Sequence, residues 1–256
     1  MATSLSTSPQ SDVAVLKFCN AVVDKMAALL RTTTLDHDVR DIRCRGGNAG
    51  CWVLHFNSKV MGKPLKFDVV FAKATRLELA CHVVSVGQAD MLILKVLGTT
   101  QAHPDTKLLA DKLATTSMRR SVIHEVVHYV MSKRFPSKRS YIEYSNRTDI
   151  WSSRKKTDLR NREYYNEPME LEAHYFEMLH AWETVKATDP NSKWLKSFDN
   201  FIGFARRFPN SEFLQSLTVR NRQRIMARME AYWAHRDIEP YHGEWLFWLP
   251  ENEGCR

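Results

Sequence analysis

The spacing of apolar positions changes twice along the chain, and each change marks a different kind of element. Val15, Leu16, Cys19, Val22, Val23, Met26, Leu29 and Leu30 recur at helical spacing, which predicts a helix over 12–31 with Asp12 able to cap its start. After Gly46-Gly47 the period becomes two. Trp52, Leu54 and Phe56 alternate with their neighbours, as do Leu65, Phe67, Val69 and Phe71. Two more strand-like runs, Leu77–Val86 and Met91–Leu97, flank the turn residues Gly87-Gln88-Ala89-Asp90. These runs predict three to four strands, antiparallel, with the first helix covering one face.

From Asp105 the helical period returns and runs to Lys133, with Thr115-Thr116-Ser117 placed to break it and cap a new helix. Phe135-Pro136-Ser137 ends that run. A further helix enters through Pro168 and reaches Lys186, because proline is favoured in a first turn. Lys193–Arg207 and Glu212–His235 read as two more helices. The tail carrying Trp245, Phe247 and Trp248 is apolar enough to dock on the body. Strands followed by a run of helices indicate an α+β fold. Residues 1–11 form an N-terminal tail, 12–185 a core and 186–256 a helical C-terminal extension.

Composition narrows the class. The chain has 256 residues, 44% of them apolar and 26% charged, as in a soluble globular protein. No run approaches the roughly 18 consecutive apolar residues of a membrane span. The polar start MATSLSTSPQSD lacks the apolar centre of a signal peptide and reads as a cytosolic tail. Five cysteines, odd in number and without a Cys-x-x-Cys pair, suit reduced thiols inside a cell. The net charge of +8 is uneven. It crowds residues 133–162, notably Arg154-Lys155-Lys156, and then Arg220, Arg222, Arg224 and Arg228. A solvated surface accounts for both clusters. An anionic or nucleic-acid partner on 133–162 is the sharper expectation.

The candidate chemistry lies in Ser121-Val-Ile-His-Glu-Val-Val-His-Tyr-Val130. Residues four apart share one helix face, so His124 and His128 can hold one metal ion, and neutral imidazoles suit zinc. Glu125 stands beside the first histidine, where it can take a proton from an attacking water. Val122, Ile123, Val126, Val127, Val130 and Met131 bury the other faces.

Together with Glu170-x-x-Ala173 on the later helix, these residues resemble the zincin metallopeptidases, in particular gluzincin-like families. There the third ligand is a glutamate on a downstream helix, in a Glu-x-x-Ala-Asp or Glu-x-x-Ala-Asn pattern. The resemblance covers roughly residues 12–185. It implies a zincin-like core of backing helix, small mainly antiparallel sheet, histidine helix and glutamate helix. It also implies zinc, with His124, His128 and Glu170 as ligands, Ala173 for close packing and Glu125 as general base. His174 stands where the family has Asp or Asn, a departure at the residue that would support a ligand.

Glu172 competes with Glu170, but it lies about 200° around the helix from it. Glu170 shares a face with His174, Glu177 and Ala181, beside the apolar stripe Leu171, Tyr175, Met178 and Trp182. Tyr164 and Tyr165 suit packing, or a phenol that donates to a developing oxyanion. An exposed strand edge within Met91–Leu97 would hold an extended peptide substrate by strand addition.

Two other classes fit parts of the pattern. Glu125-x-x-His128 and Glu177-x-x-His180 have the spacing of di-iron carboxylate helices, although a four-helix bundle leaves the strands without use. A basic nucleic-acid-binding protein, with a zincin-like core that does no catalysis, would use the charge clusters and leave Glu125 idle.

Overall fold

The computed structural model describes residues 9–33, 52–72, 78–86, 89–97, 106–132, 164–208 and 212–235. The basic segment 133–162 and the tail with Trp245, Phe247 and Trp248 lie outside them. The fold is α+β. Contacts divide the chain into two compact units, residues 18–129 and residues 1–17 with 130–256. Among the described residues, no helix is long and apolar enough to cross a membrane.

In the first unit, the part of helix α1 (Pro9–Thr32) from residue 18 onward contributes Cys19, Val22, Val23, Met26 and Leu30, all fully buried. Burial pushes the Cys19 thiol well above its ordinary pKa. The strands are β1 (Trp52–Val60), β2 (Lys63–Ala72), β3 (Glu78–Val86) and β4 (Ala89–Leu97), in the order β1-β2-β4-β3. β1 and β2 form a hairpin closed by Val60↔Lys63 around Met61-Gly62, both with positive φ (50° and 83°). Positive φ at both central residues is the type I′ arrangement that matches strand twist. Leu54 and Val69 pair across this hairpin and are both buried.

The sheet differs from expectation in one junction. β1–β2 and β3–β4 are antiparallel, but β2 and β4 run parallel, in the register Phe67↔Leu92 to Ala72↔Leu97. That placement makes β4 an interior strand, hydrogen-bonded on both sides. Met91–Leu97 therefore offers no edge to a substrate, and the outer strands are β1 and β3. Ala89 and Asp90, expected in a turn, are already strand residues paired with Val86 and Ser85.

Helices α2 (Thr106–Ala114) and α3 (Thr116–Ser132) follow, with the break where the threonine-serine run predicts it. Arg119 on α3 holds α1 through three bonds: Nε to Asn20 Oδ1 (2.8 Å), Nη1 to Asp24 Oδ1 (2.7 Å) and Nη2 to Asn20 O (3.2 Å). Arg31 reaches from α1 to Asp111 on α2 at 3.2 Å.

The second unit is built on α4 (Pro168–Thr188), the 3-10 turn Lys193–Leu195, α5 (Phe198–Ala205), α6 (Phe213–Ser216) and α7 (Val219–Ala234). The continuous helices expected over Lys193–Arg207 and Glu212–His235 are each divided. At the new starts, Ser197 Oγ accepts from Asn200 N (3.2 Å) and Thr218 Oγ1 from Asn221 N (3.3 Å). A side-chain oxygen that satisfies a first-turn amide lets a helix begin there in place of continuing the previous one.

α4 is buried on every side from Leu171 to Trp182. The expected polar row beside an apolar stripe is thus enclosed rather than bordering solvent, and its polar groups must find partners inside. α1 starts at Pro9, three residues ahead of the expected start, so Asp12 is no cap but lies within the first turn. Its carboxylate is fully buried against Arg228 of α7.

Candidate metal centre

α3 carries His124 and His128 on one face, both buried. Their rings meet edge to face with centroids 4.7 Å apart, and the two Nε2 atoms are 3.0 Å apart. Two nitrogens on one tetrahedral zinc, each about 2.0–2.1 Å from it, stand about 3.3 Å apart. The observed separation is close to that. It also suits an N–H···N hydrogen bond between two neutral rings, one donating and one accepting. Either way the imidazoles converge on one point, because i and i+4 positions stack on a helix. Valine or isoleucine at 122, 123, 126 and 127 buries the faces around them, as the sequence pattern requires. Glu125, one position on, is half-buried.

On α4, Glu170 is half-buried while His174 and Glu177 are buried. His174 Nε2 lies 3.9 Å from Glu170 Oε2, and Nδ1 lies 3.4 Å from Glu177 Oε2. The His174 ring is walled by Tyr165 (4.9 Å between centroids), Phe213 (5.5 Å) and Tyr164 (5.6 Å). Asn166 anchors that wall. Its Nδ2 donates to Ser216 O at 2.8 Å, while its Oδ1 accepts from Thr218 N at 2.7 Å and from Asn221 Nδ2 at 3.0 Å. Nothing in the sequence singles out Asn166, since these bonds reach some fifty residues ahead.

His and Glu groups among the described residues could hold a metal ion. The donor chemistry fits zinc, which accepts imidazole nitrogen and carboxylate oxygen. The sequence resemblance nominates His124, His128 and Glu170. On α4 the structure sets His174 and Glu177 beside Glu170, and their only signal in the sequence is helical spacing.

Glu172 points elsewhere. It is 1% exposed, with Oε1 accepting from Arg224 Nη2 (3.0 Å) and Oε2 from Arg228 Nη1. Arg228 also donates Nε to both Asp12 oxygens (3.1 and 3.0 Å), and Tyr175 OH donates to Asp12 Oδ2 at 2.9 Å. The guanidinium lies over the Tyr175 ring, 4.2 Å from its centroid. Burial raises the Asp12 carboxyl above its ordinary pKa, and the Arg228 charge opposes that rise. For Arg228, burial acts to lower the pKa, but the Glu172 and Asp12 carboxylates more than offset it and the guanidinium stays charged. Two arginines expected on a solvated surface, Arg224 and Arg228, are therefore ion-paired partners of Glu172.

Comparison with protein-family models, with curated proteins and with solved structures returns no match for this chain.

Proposed function

We propose that the chain is a zinc-dependent metallopeptidase in which His124, His128 and Glu170 hold the metal and Glu125 is the general base. The observation that carries this is the pair of buried Nε2 atoms 3.0 Å apart, two imidazoles converging on one point. Three protein ligands leave one position open, which distinguishes a catalytic zinc from a closed structural one. Zinc in such a site supplies Lewis acidity toward a carbonyl and lowers the pKa of water to about 7.

The protein's own part is proton transfer and placement. Glu125 takes the proton from the attacking water and returns it to the departing amine nitrogen, so one water is consumed for each amide bond broken. It follows His124 directly on α3 and is only half-buried, so it keeps access to water while its neighbour binds metal. Tyr164 is half-buried and Tyr165 buried, which makes Tyr164 the phenol better placed to meet a substrate oxyanion.

Elemental analysis of protein purified without added metal should give one zinc per chain. Glu125→Gln should retain that zinc and lose roughly 10²–10⁴-fold in peptide hydrolysis, the usual worth of a general base. Two irons, or no metal after zinc is supplied, would sink the proposal. A fully active Glu125→Gln protein would remove the assigned mechanism.

A further inference from the structure

The basic residues sort differently in the fold than along the sequence. Arg224 and Arg228 bind Glu172, and Arg222 Nη2 donates to Gln215 O (3.0 Å) and Leu217 O (3.3 Å). Much of the 220–228 cluster is thus committed within the protein. A set that the sequence does not mark as a cluster faces outward instead. Between residues 193 and 208 there are four cations, Lys193, Lys196, Arg206 and Arg207, against one carboxylate, Asp199. All four are exposed, and none pairs with a carboxylate among the described residues.

Two of these cations lie over one ring. Lys193 Nζ lies 4.8 Å and Arg207 Cζ 5.0 Å from the centroid of the Trp194 ring. Gly203 on α5 lets that indole lie close, since a Cβ there would come within 3.3 Å of Trp194 Cζ3. Next to Arg206-Arg207, Phe208 is 37% exposed, with its ring stacked on Phe204 at 4.6 Å and 22°. An ordinary solvated surface scatters its lysines and keeps large rings inside. Here ammonium, guanidinium and partly open rings come together on the 3-10 turn and the residues that follow α5.

We propose that this patch binds single-stranded nucleic acid. Guanidinium and ammonium groups take successive phosphates, Arg206 and Arg207 being suited to two-pronged contact, and Trp194 and Phe208 supply faces on which bases stack. An acidic peptide would satisfy the charges but leave the ring faces without a planar partner.

The test is fluorescence anisotropy of a labelled 15-nucleotide oligothymidylate titrated with the full chain across a range of salt. Binding should weaken with salt with a logarithmic slope of about −3, from about −0.7 for each of four phosphates. Lys193→Glu with Arg207→Glu should weaken binding at least tenfold and flatten the slope by about 1.4. Trp194→Leu should weaken it roughly tenfold while keeping the slope, because stacking carries no counterion release. Circular dichroism checks that each variant folds, and Lys196→Glu with Arg206→Glu serves if the first pair does not. Absence of binding overturns the proposal, and so do variants that bind like the parent. Polyglutamate that binds as tightly, with the same sensitivity to the variants, overturns it in favour of an acidic protein partner.

Discussion

Glu170 and Glu172 leave the same helix two residues apart and meet opposite chemistry. Glu172 is enclosed with two guanidiniums, one of which also holds Asp12, so its charge is neutralised inside the protein. Glu170 instead has an imidazole beside it, with His174 Nε2 at 3.9 Å. An imidazole can stay neutral, take a proton or ligate a metal, whereas a guanidinium can only stay charged. The first arrangement serves folding, since it sets buried carboxylates against a cation that cannot lose its charge. The second retains chemistry. One helix thus carries a structural carboxylate and a candidate ligand, separated by rotation about its axis.

The largest effect should come from breaking the arginine side of that contrast. Arg228→Met leaves Asp12 and Glu172 buried without their shared cation, and removing one partner of a buried pair costs about 3–5 kcal/mol. In a chain of this size that is a fall of roughly 10 °C in Tm. Thermal unfolding measures it. A variant that melts within 2–3 °C of the parent, about the shift from 1 kcal/mol, would show that the network is not structural.

The two glutamates can then be set directly against each other. Glu172→Gln should cost about 2–3 kcal/mol, the worth of charged hydrogen bonds, while zinc content is unchanged. It is milder than Arg228→Met because Asp12 still holds the guanidinium. Glu170→Gln should do the reverse, with stability changed by about 1 kcal/mol or less and zinc affinity lowered at least about a hundredfold. Chelator competition and thermal melts on both variants decide it. Loss of zinc from Glu172→Gln but not from Glu170→Gln would invert the assignment while leaving a metal centre in place.

The smallest effect concerns the phenols. Burial raises Tyr175 and Tyr232 well above their ordinary pKa, with Asp12 adding to the first and Glu183 to the second, and burial pushes Tyr129 up to about 12. A phenol with a raised folded pKa contributes stability that is complete below the unfolded value near 10. That contribution is lost as pH rises through the folded value. Denaturant midpoints should therefore be level from pH 7 to 9 and fall between pH 10 and 12, by up to about 1.4 kcal/mol per pH unit for each phenol. Midpoints that stay flat to pH 11.5 would mean these phenols ionise as readily in the folded chain.

Much of this was legible in advance, and the misses share a cause. The helix 12–31, the four strands, the break at Thr115-Thr116-Ser117 and the helix entered at Pro168 all follow from periodicity and punctuation, which act over a few residues. His124 and His128 are legible for the same reason, since i and i+4 spacing on a helix is enough to bring them together. The parallel junction of β2 with β4 was not. It depends on which strand enters the sheet's interior, and alternation of side chains reads the same in either direction. The divided C-terminal helices show the limit at short range. Ser197 and Thr218 look like ordinary helix-surface residues until their hydroxyls accept from the amides three residues on.

What the sequence determined by itself is local: which segments coil or extend, and that two imidazoles with a glutamate between them share the middle of a buried helix. What only the tertiary structure decided is how the charged side chains were distributed. Arg228 reads as one more cation in a basic run. It is instead the buried partner of Asp12, 216 positions away, and of Glu172, 56 positions away. Lys193 and Arg207, fourteen residues apart, look unrelated until both settle over Trp194. Electrostatic roles are set by which charges become neighbours once water is excluded. That is a property of contacts between distant segments, which no local pattern encodes.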